Sequence, residues 1–234
     1  MNKEMFKEEL SKLGIVLTKE MENKLEYYYE LLIESNKVMN LTAITEKEEV
    51  YLKHFYDSLT AIKGYDLTEN LTLCDVGTGA GFPGLILKIV FPNLKVTLVD
   101  SLEKRTKFLE EVIEKLELID IYVYHARMEN YFNEVNIKYD IVIARAVAKT
   151  NILLELCSQG VKTNGILMLM KGNTDKEVLD AKNAERILGF KLLKGELFNL
   201  PVEESIRTLL VYLKEKETNK IYPRHFSKIS KKPL

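Results

Sequence analysis

The first quarter of the chain sets its apolar residues at helical spacing. Met21, Leu25, Tyr28, Tyr29 and Leu32 fall at i, i+4, i+7, i+8 and i+11, one face of a helix. Thr18 stands in front of them as an N-cap. Thr45-Glu46-Lys47-Glu48 has capping-box spacing and predicts a second helix, with Tyr51, Phe55, Leu59 and Ile62 as its inward stripe. Residues 1–64 therefore read as a helical cap. After Gly64 the texture becomes strand, helix, strand. Residues 71–76 form a short apolar run ending at glycines, with a helix to Val90. Residues 94–99 form a second strand, and residues 102–116 a helix with Leu102, Leu109, Val112, Ile113 and Leu116 inward. Further strands lie near 119–124, 141–144 and 166–170. This alternation predicts an α/β fold, a mostly parallel Rossmann-like sheet covered on both faces. Residues 190–200 and 206–213 are two strands around Pro201 with no helix between, an antiparallel terminal hairpin. The expected organisation is a cap, 1–64, and one α/β domain, 65–234.

Composition changes this picture little. A chain of 234 residues with net charge −1 is an ordinary globular protein. No apolar run approaches the roughly 18 residues of a membrane span. The first ten residues lack a signal-peptide core, so a cytoplasmic protein is expected. Cys74 and Cys157 make neither a disulfide framework nor a metal cluster, and read as buried thiols. Charge is unevenly placed: from Thr218 onward there are five basic residues and no acidic one. Lys220, Arg224, Lys228, Lys231 and Lys232 suit either phosphate contact or a solvated tail that adds little to folding.

The segment Asp75-Val76-Gly77-Thr78-Gly79-Ala80-Gly81-Phe82-Pro83-Gly84 lies between a strand and a helix, with Pro83 at the first helical position. Its glycines admit positive φ and a closely approaching ligand. Asp100 ends the next strand, where a carboxylate can hold both ribose hydroxyls of an adenosine ligand. Gly79 to Gly84 also matches the dinucleotide fingerprint, so NAD stays open. Asp75 weighs towards S-adenosylmethionine, because a carboxylate beside the glycines repels a pyrophosphate and suits an ammonium or sulfonium group.

Several segments carry a closer likeness: Asn40-Leu41-Thr42-Ala43-Ile44, Lys53-His54-Phe55-Tyr56-Asp57-Ser58-Leu59, the glycine loop, Asp100-Ser101-Leu102-Glu103-Lys104-Arg105, Arg145-Ala146-Val147-Ala148 and Lys171-Gly172. In this order they resemble the small-subunit ribosomal RNA guanine-N7 methyltransferase family. The resemblance runs from about Asn40 almost to the C-terminus. It implies a class I methyltransferase sheet, S-adenosylmethionine as cofactor, 16S ribosomal RNA or the small ribosomal subunit as partner, and no metal. Cofactor contacts are implied at Gly77, Phe82, Met128, Glu129 and Arg145, alongside Asp75, Gly79, Gly81 and Asp100. A backbone N–H in the Met128-Glu129 turn would meet the adenine edge. The tail departs from the family pattern: Tyr222-Pro223-Arg224 is followed by His225-Phe226-Ser227-Lys228 instead of a Lys-Ala-Gly-Thr-Pro-like segment. A monomer is expected.

Other constellations have plainer readings beside them. His54, Asp57 and Ser58 share one predicted helical face, which suits a structural cluster or RNA positioning better than a hydrolase triad. Lys104, Arg105 and Lys107 open a helix, as phosphate contacts or as its solvated face. Lys171 ends a strand where α/β ligands bind. The Tyr27-Tyr28-Tyr29 run reads as core and rim. No Asn/Asp-Pro-Pro-aromatic segment follows the fourth strand, no cysteine is placed for C5 chemistry, and Asp140 lies at the wrong end of its strand for a Lys-Asp-Lys-Glu group. A target that is already nucleophilic, such as guanine N7, needs positioning by Arg145 and no general base.

Overall fold

The computed structural model describes residues 1–172, 174 and 177–234. Helix α1 spans Lys3–Lys12 and α2 spans Lys19–Met39, where the Thr18 side chain accepts from the Met21 N–H at 3.2 Å. Leu25, Tyr28 and Leu32 are buried along α2, as their spacing predicts. The Thr45 capping box does not form. Glu46 stands at the N-cap with no side-chain bond, and the Tyr29 hydroxyl bonds the Thr45 carbonyl at 3.3 Å. Helix α3, Lys47–Val50, passes into a π-helical turn over Tyr51–Tyr56. The chain returns to α geometry as α4, Asp57–Leu59, and closes with a 3-10 turn, Thr60–Lys63.

Seven strands follow: β1 Thr72–Val76, β2 Lys95–Asp100, β3 Ile121–His125, β4 Tyr139–Arg145, β5 Val161–Lys171, β6 Phe190–Asn199 and β7 Ile206–Lys214. They form one sheet in the order β3-β2-β1-β4-β5-β7-β6. The first five are parallel, and β7 enters antiparallel between β5 and the edge strand β6. The expected hairpin is therefore present. Helices α5 Gly84–Val90, α6 Glu103–Lys115, α7 Met128–Val135, α8 Thr150–Cys157, α9 Glu177–Asp180 and α10 Lys182–Leu188 cover the faces, and α11, Phe226–Lys231, lies in the tail.

Two boundaries differ from the sequence expectation. Pro83 is the N-cap of α5, and the helix starts at Gly84, whose N–H is taken at 2.8 Å by the Asp75 carboxylate. Leu102 is the N-cap of α6 and 43% exposed, because its side chain precedes the first turn.

The core has two parts, one per sheet face. On one side Leu10, Leu25, Phe55 and Leu59 of the N-terminal helices join Leu85, Leu98 and Phe108, so the cap and the sheet share one apolar interior. On the other side Val142, Leu154, Leu188 and Ile229 pack together, with Cys74 and Cys157 as buried free thiols. Among the described residues no helix is long and apolar enough to cross a membrane. Strand order reverses between β1 and β4, and that switch point opens a cleft beyond the carboxyl ends of the strands.

Candidate active site

Gly77, Gly79 and Phe82 after β1, Asp100 at the end of β2, and Arg145 at the end of β4 line one cavity of about 380 Å³. Gly79 has φ +63° with nothing within 4 Å of where a Cβ would stand, so its bare backbone faces open space. Asp100 is 3% exposed; it accepts the Gly79 N–H at 2.9 Å through Oδ2 and the Leu102 N–H at 2.9 Å through Oδ1. Arg105 joins this wall, 3.4 Å from Asp100 Oδ2. A second cavity of about 210 Å³ shares Gly77, Asp100 and Val147 with the first and continues to Met128 and Glu129. Met128 begins α7, so the expected turn is a helix N-terminus. Arg127 gives it no side-chain cap, which leaves the first N–H groups without partners inside the helix.

Arg145 occupies the boundary with a third cavity, of about 290 Å³, which it also lines. Its guanidinium donates to the Lys53 carbonyl at 3.2 Å and to Asp57 Oδ2 at 3.1 Å, and lies 5.2 Å above the Phe82 ring. Asp57 Oδ1 accepts from Arg207 Nε at 3.0 Å, so one carboxylate holds two arginines. The beginning of β7 thus meets the start of α4 across this cavity, with Lys171 and Phe198 on its wall. His54 stacks on Phe82 at 4.4 Å and pairs with Thr42 Oγ1 at 2.9 Å. Burial first, and then the Arg145 charge, push the His54 pKa down to about 3, so the ring is neutral under ordinary conditions. Ala146, between the two cavities, has φ +54°, a left-handed conformation unusual for a residue with a Cβ.

Other candidate residues are turned away from the cleft or already engaged by partners. Asp75 is fully buried on the side of α5, where Oδ2 accepts from Thr78 Oγ1 at 2.6 Å and from Gly84 N. Burial raises its pKa to about 6, and Oδ1 has no partner. It shapes the loop from behind and is absent from the cleft wall, so it cannot repel a pyrophosphate there by contact. Gly81 also faces inward, towards Leu109, Leu85 and Tyr28. Ser58 is fully buried and donates to the carbonyl of His54 one helical turn earlier at 2.6 Å, so of the three residues expected on one face only His54 and Asp57 line the cavity. Lys104 bonds the Met39 carbonyl at 2.6 Å at the end of α2, and Lys107 pairs with Glu103 on the solvated face. Lys171 is 8% exposed, bonded to the Ala148 carbonyl at 2.7 Å and to Glu177 at 2.5 Å.

The tail overturns a further expectation. Arg224 donates through its backbone N–H and through two guanidinium nitrogens to Glu155, whose side chain is fully buried. Gln159 bonds the carbonyls of Thr218, Asn219 and Tyr222, and Ile229 is fully buried. This segment is part of the folded body. Lys220, Lys228, Lys231 and Lys232 remain exposed as expected. Asp140 sits at the start of β4, bound to Thr72 and Lys162, far from the cleft end of the strand. Sequence reasoning missed Arg207, whose only signal was a basic residue at the start of a mostly apolar strand. It quoted Thr42 within a motif without giving it a task.

The family model described as rRNA small subunit methyltransferase G matches residues 21–201. Among curated relatives, "Ribosomal RNA small subunit methyltransferase G" of Bacillus cytotoxicus is 48% identical over 100% of this chain and 99% of that protein. The protein of the same name from Bacillus thuringiensis (strain Al Hakam) is 47% identical, again over 100% of this chain and 99% of that protein. Among solved structures, precorrin-6y C5,15-methyltransferase from Geobacter metallireducens aligns with TM-score 0.55 at 14% identity, covering 76% of this chain and 92% of that one. M. jannaschii TYW2 in complex with AdoMet aligns with TM-score 0.52 at 18% identity, covering 67% and 74%. These structural likenesses show the fold.

Proposed function

Because this chain belongs to the rRNA small subunit methyltransferase G family, we propose that it methylates N7 of a guanine in 16S ribosomal RNA, with S-adenosylmethionine as methyl donor. The observation that carries the reading is Arg145, which lines both the glycine-loop cavity and the cavity beyond it. The NAD alternative has no support in the family, although the reason first given against it, Asp75, lies outside the cleft.

The residues present fit the cofactor. Gly79 offers open backbone, Asp100 keeps lone pairs for ribose hydroxyls beside its two backbone bonds, and the start of α7 offers N–H groups for an adenine edge. When bound, S-adenosylmethionine supplies an electrophilic methyl group. Guanine N7 carries a lone pair in neutral RNA, so the protein has no proton to remove. Its residues have positioning work instead. Arg145, fixed by Asp57 and the Lys53 carbonyl, orients the acceptor base at the cleft boundary. Neutral His54 and Phe82 form an uncharged stacked wall there. Alignment of this kind contributes several kcal/mol, on the order of the gains from well-oriented reactants.

The acceptor cavity, with Lys171, Arg207 and Lys53 on its wall, suits an RNA nucleotide and its phosphate. Lys228, Lys231 and Lys232 extend a positive surface for the same partner. Residues 1–64 act as cap and 65–234 as the methyltransferase domain, in a cytoplasmic monomer. Charged Lys191, Lys194 and Glu196 on the edge strand β6 suit that state. The test is methyl transfer into RNA from cells lacking this gene. Guanine-containing RNA should accept methyl, and RNA with 7-deazaguanine at the target should not. Transfer to the deaza RNA would put the acceptor atom elsewhere.

A further inference from the structure

After Tyr222-Pro223-Arg224 the chain carries His225-Phe226-Ser227-Lys228, and the structure gives the aromatic residue a definite place. Phe226 lines the same 210 Å³ cavity as Gly77, Asp100, Met128 and Val147. It is 39% exposed and Val147 is 40% exposed, so two apolar side chains face one cavity with much of their surface uncovered. A flat heteroaromatic ring fitted between such groups covers that surface and gains stacking contact.

The position of Phe226 is fixed from both sides. Two residues before it, Arg224 grips the fully buried carboxylate of Glu155; three residues after it, Ile229 is fully buried in the core. His225 caps the short helix by accepting from the Ser227 N–H. Glu155 is followed in α8 by Leu156, which is itself on the wall of this cavity. The helix that floors the cavity therefore also anchors the segment that brings Phe226 to it.

We propose that Phe226 is a wall of the adenine subsite, so that in this chain the C-terminal tail is a cofactor-binding element. The inference rests on the S-adenosylmethionine reading above and adds to it a residue outside the sheet. Phe226 makes a stacking contact with the adenine ring, and the tail's anchor to Glu155 sets the geometry of that contact.

The test is titration of S-adenosylhomocysteine into the full-length protein. Phe226→Ala should raise its Kd about fivefold or more, the low end of what an aromatic contributes to one stacked base. The KM for S-adenosylmethionine should rise in parallel, far more than kcat changes. The chain contains no tryptophan, so Phe226→Trp creates a single indole whose emission should change on adding S-adenosylhomocysteine and stay constant with methionine alone. Equal Kd values for wild type and Phe226→Ala, or a Phe226→Trp emission blind to the bound nucleoside, overturn the assignment. Failure of the wild type to bind S-adenosylhomocysteine overturns the cofactor reading itself, and this inference with it.

Discussion

Arg145 serves two cavities with one guanidinium, and the geometry of that group decides what can replace it. Its nitrogens point to a backbone carbonyl, to Asp57 and towards His54 Nδ1 at 3.5 Å, while the plane lies over Phe82. A lysine ammonium keeps the charge but has neither the fork nor the flat face. Arg145→Lys should lower kcat for RNA methylation about tenfold or more, equivalent to the loss of one charge-assisted bond; near-full turnover would show that charge alone suffices. His54 is a companion case. Its pKa lies near 3, so it gains no proton between pH 6 and 9. The sign matters for stability too. The unfolded chain takes up that proton below about 6.5 while the folded one does not, so stability drains as pH falls from there towards 3. Single-turnover methyl transfer should be flat from about pH 6 to 9, and His54→Ala should weaken binding without bending that profile. A bell-shaped profile would show that an acid–base pair takes part and would overturn the positioning mechanism.

At the level of elements, the glycine loop separates two demands that look alike in sequence. A methyl at Gly84 would stand 2.5 Å from Leu98 and 2.8 Å from the Asp75 Cβ, both in packed surroundings, whereas a methyl at Gly79 meets nothing. Gly84→Ala should therefore lower the melting temperature, by the equivalent of about 1–3 kcal/mol of overpacking. Gly79→Ala adds backbone strain of about 1 kcal/mol, because its φ is +63°, and should in addition weaken S-adenosylhomocysteine binding, which Gly84→Ala should leave nearer to wild type; unchanged binding in Gly79→Ala would contradict this division. The strand–helix alternation, the terminal hairpin and the cleft-end residues Asp100 and Arg145 were legible, because alternation and element ends are written in side-chain pattern. Asp75 was misread although the signal existed. In β1, Leu73 belongs to one core face, and Cys74 and Val76 to the other. Two-residue alternation therefore turns Asp75 with Leu73 towards α5. The π turn left no such signal: Tyr51, Phe55 and Leu59 fit α spacing, and the widened backbone between them changes no residue type.

For the whole molecule, the tail is the largest revision. Its run of basic residues suggested a solvated appendage, because nothing in that run names Glu155 as a partner 69 residues earlier. Cutting after Lys216 removes Thr218, Arg224 and Ile229 together, strips Glu155 of its three bonds to Arg224 and uncovers the apolar surface under Ile229. Loss of about 3 kcal/mol or more is expected, and with it several degrees of melting temperature. Replacing Lys228, Lys231 and Lys232 by glutamine should instead spare the melting temperature and flatten the salt dependence of RNA binding. A truncation that melts like the wild type would restore the appendage picture. A similar long-range tie exists at the other end of the chain. The hydroxyl of fully buried Tyr28 donates to the carbonyl of Ala80, inside the glycine loop and 52 residues away. The loop's shape is thus partly owned by a helix that lines none of the three cleft cavities. In a genetic screen for lost methylation, lesions at Tyr28 would score with lesions in the loop, and a binding site drawn from such phenotypes would extend well beyond the surface that meets the cofactor.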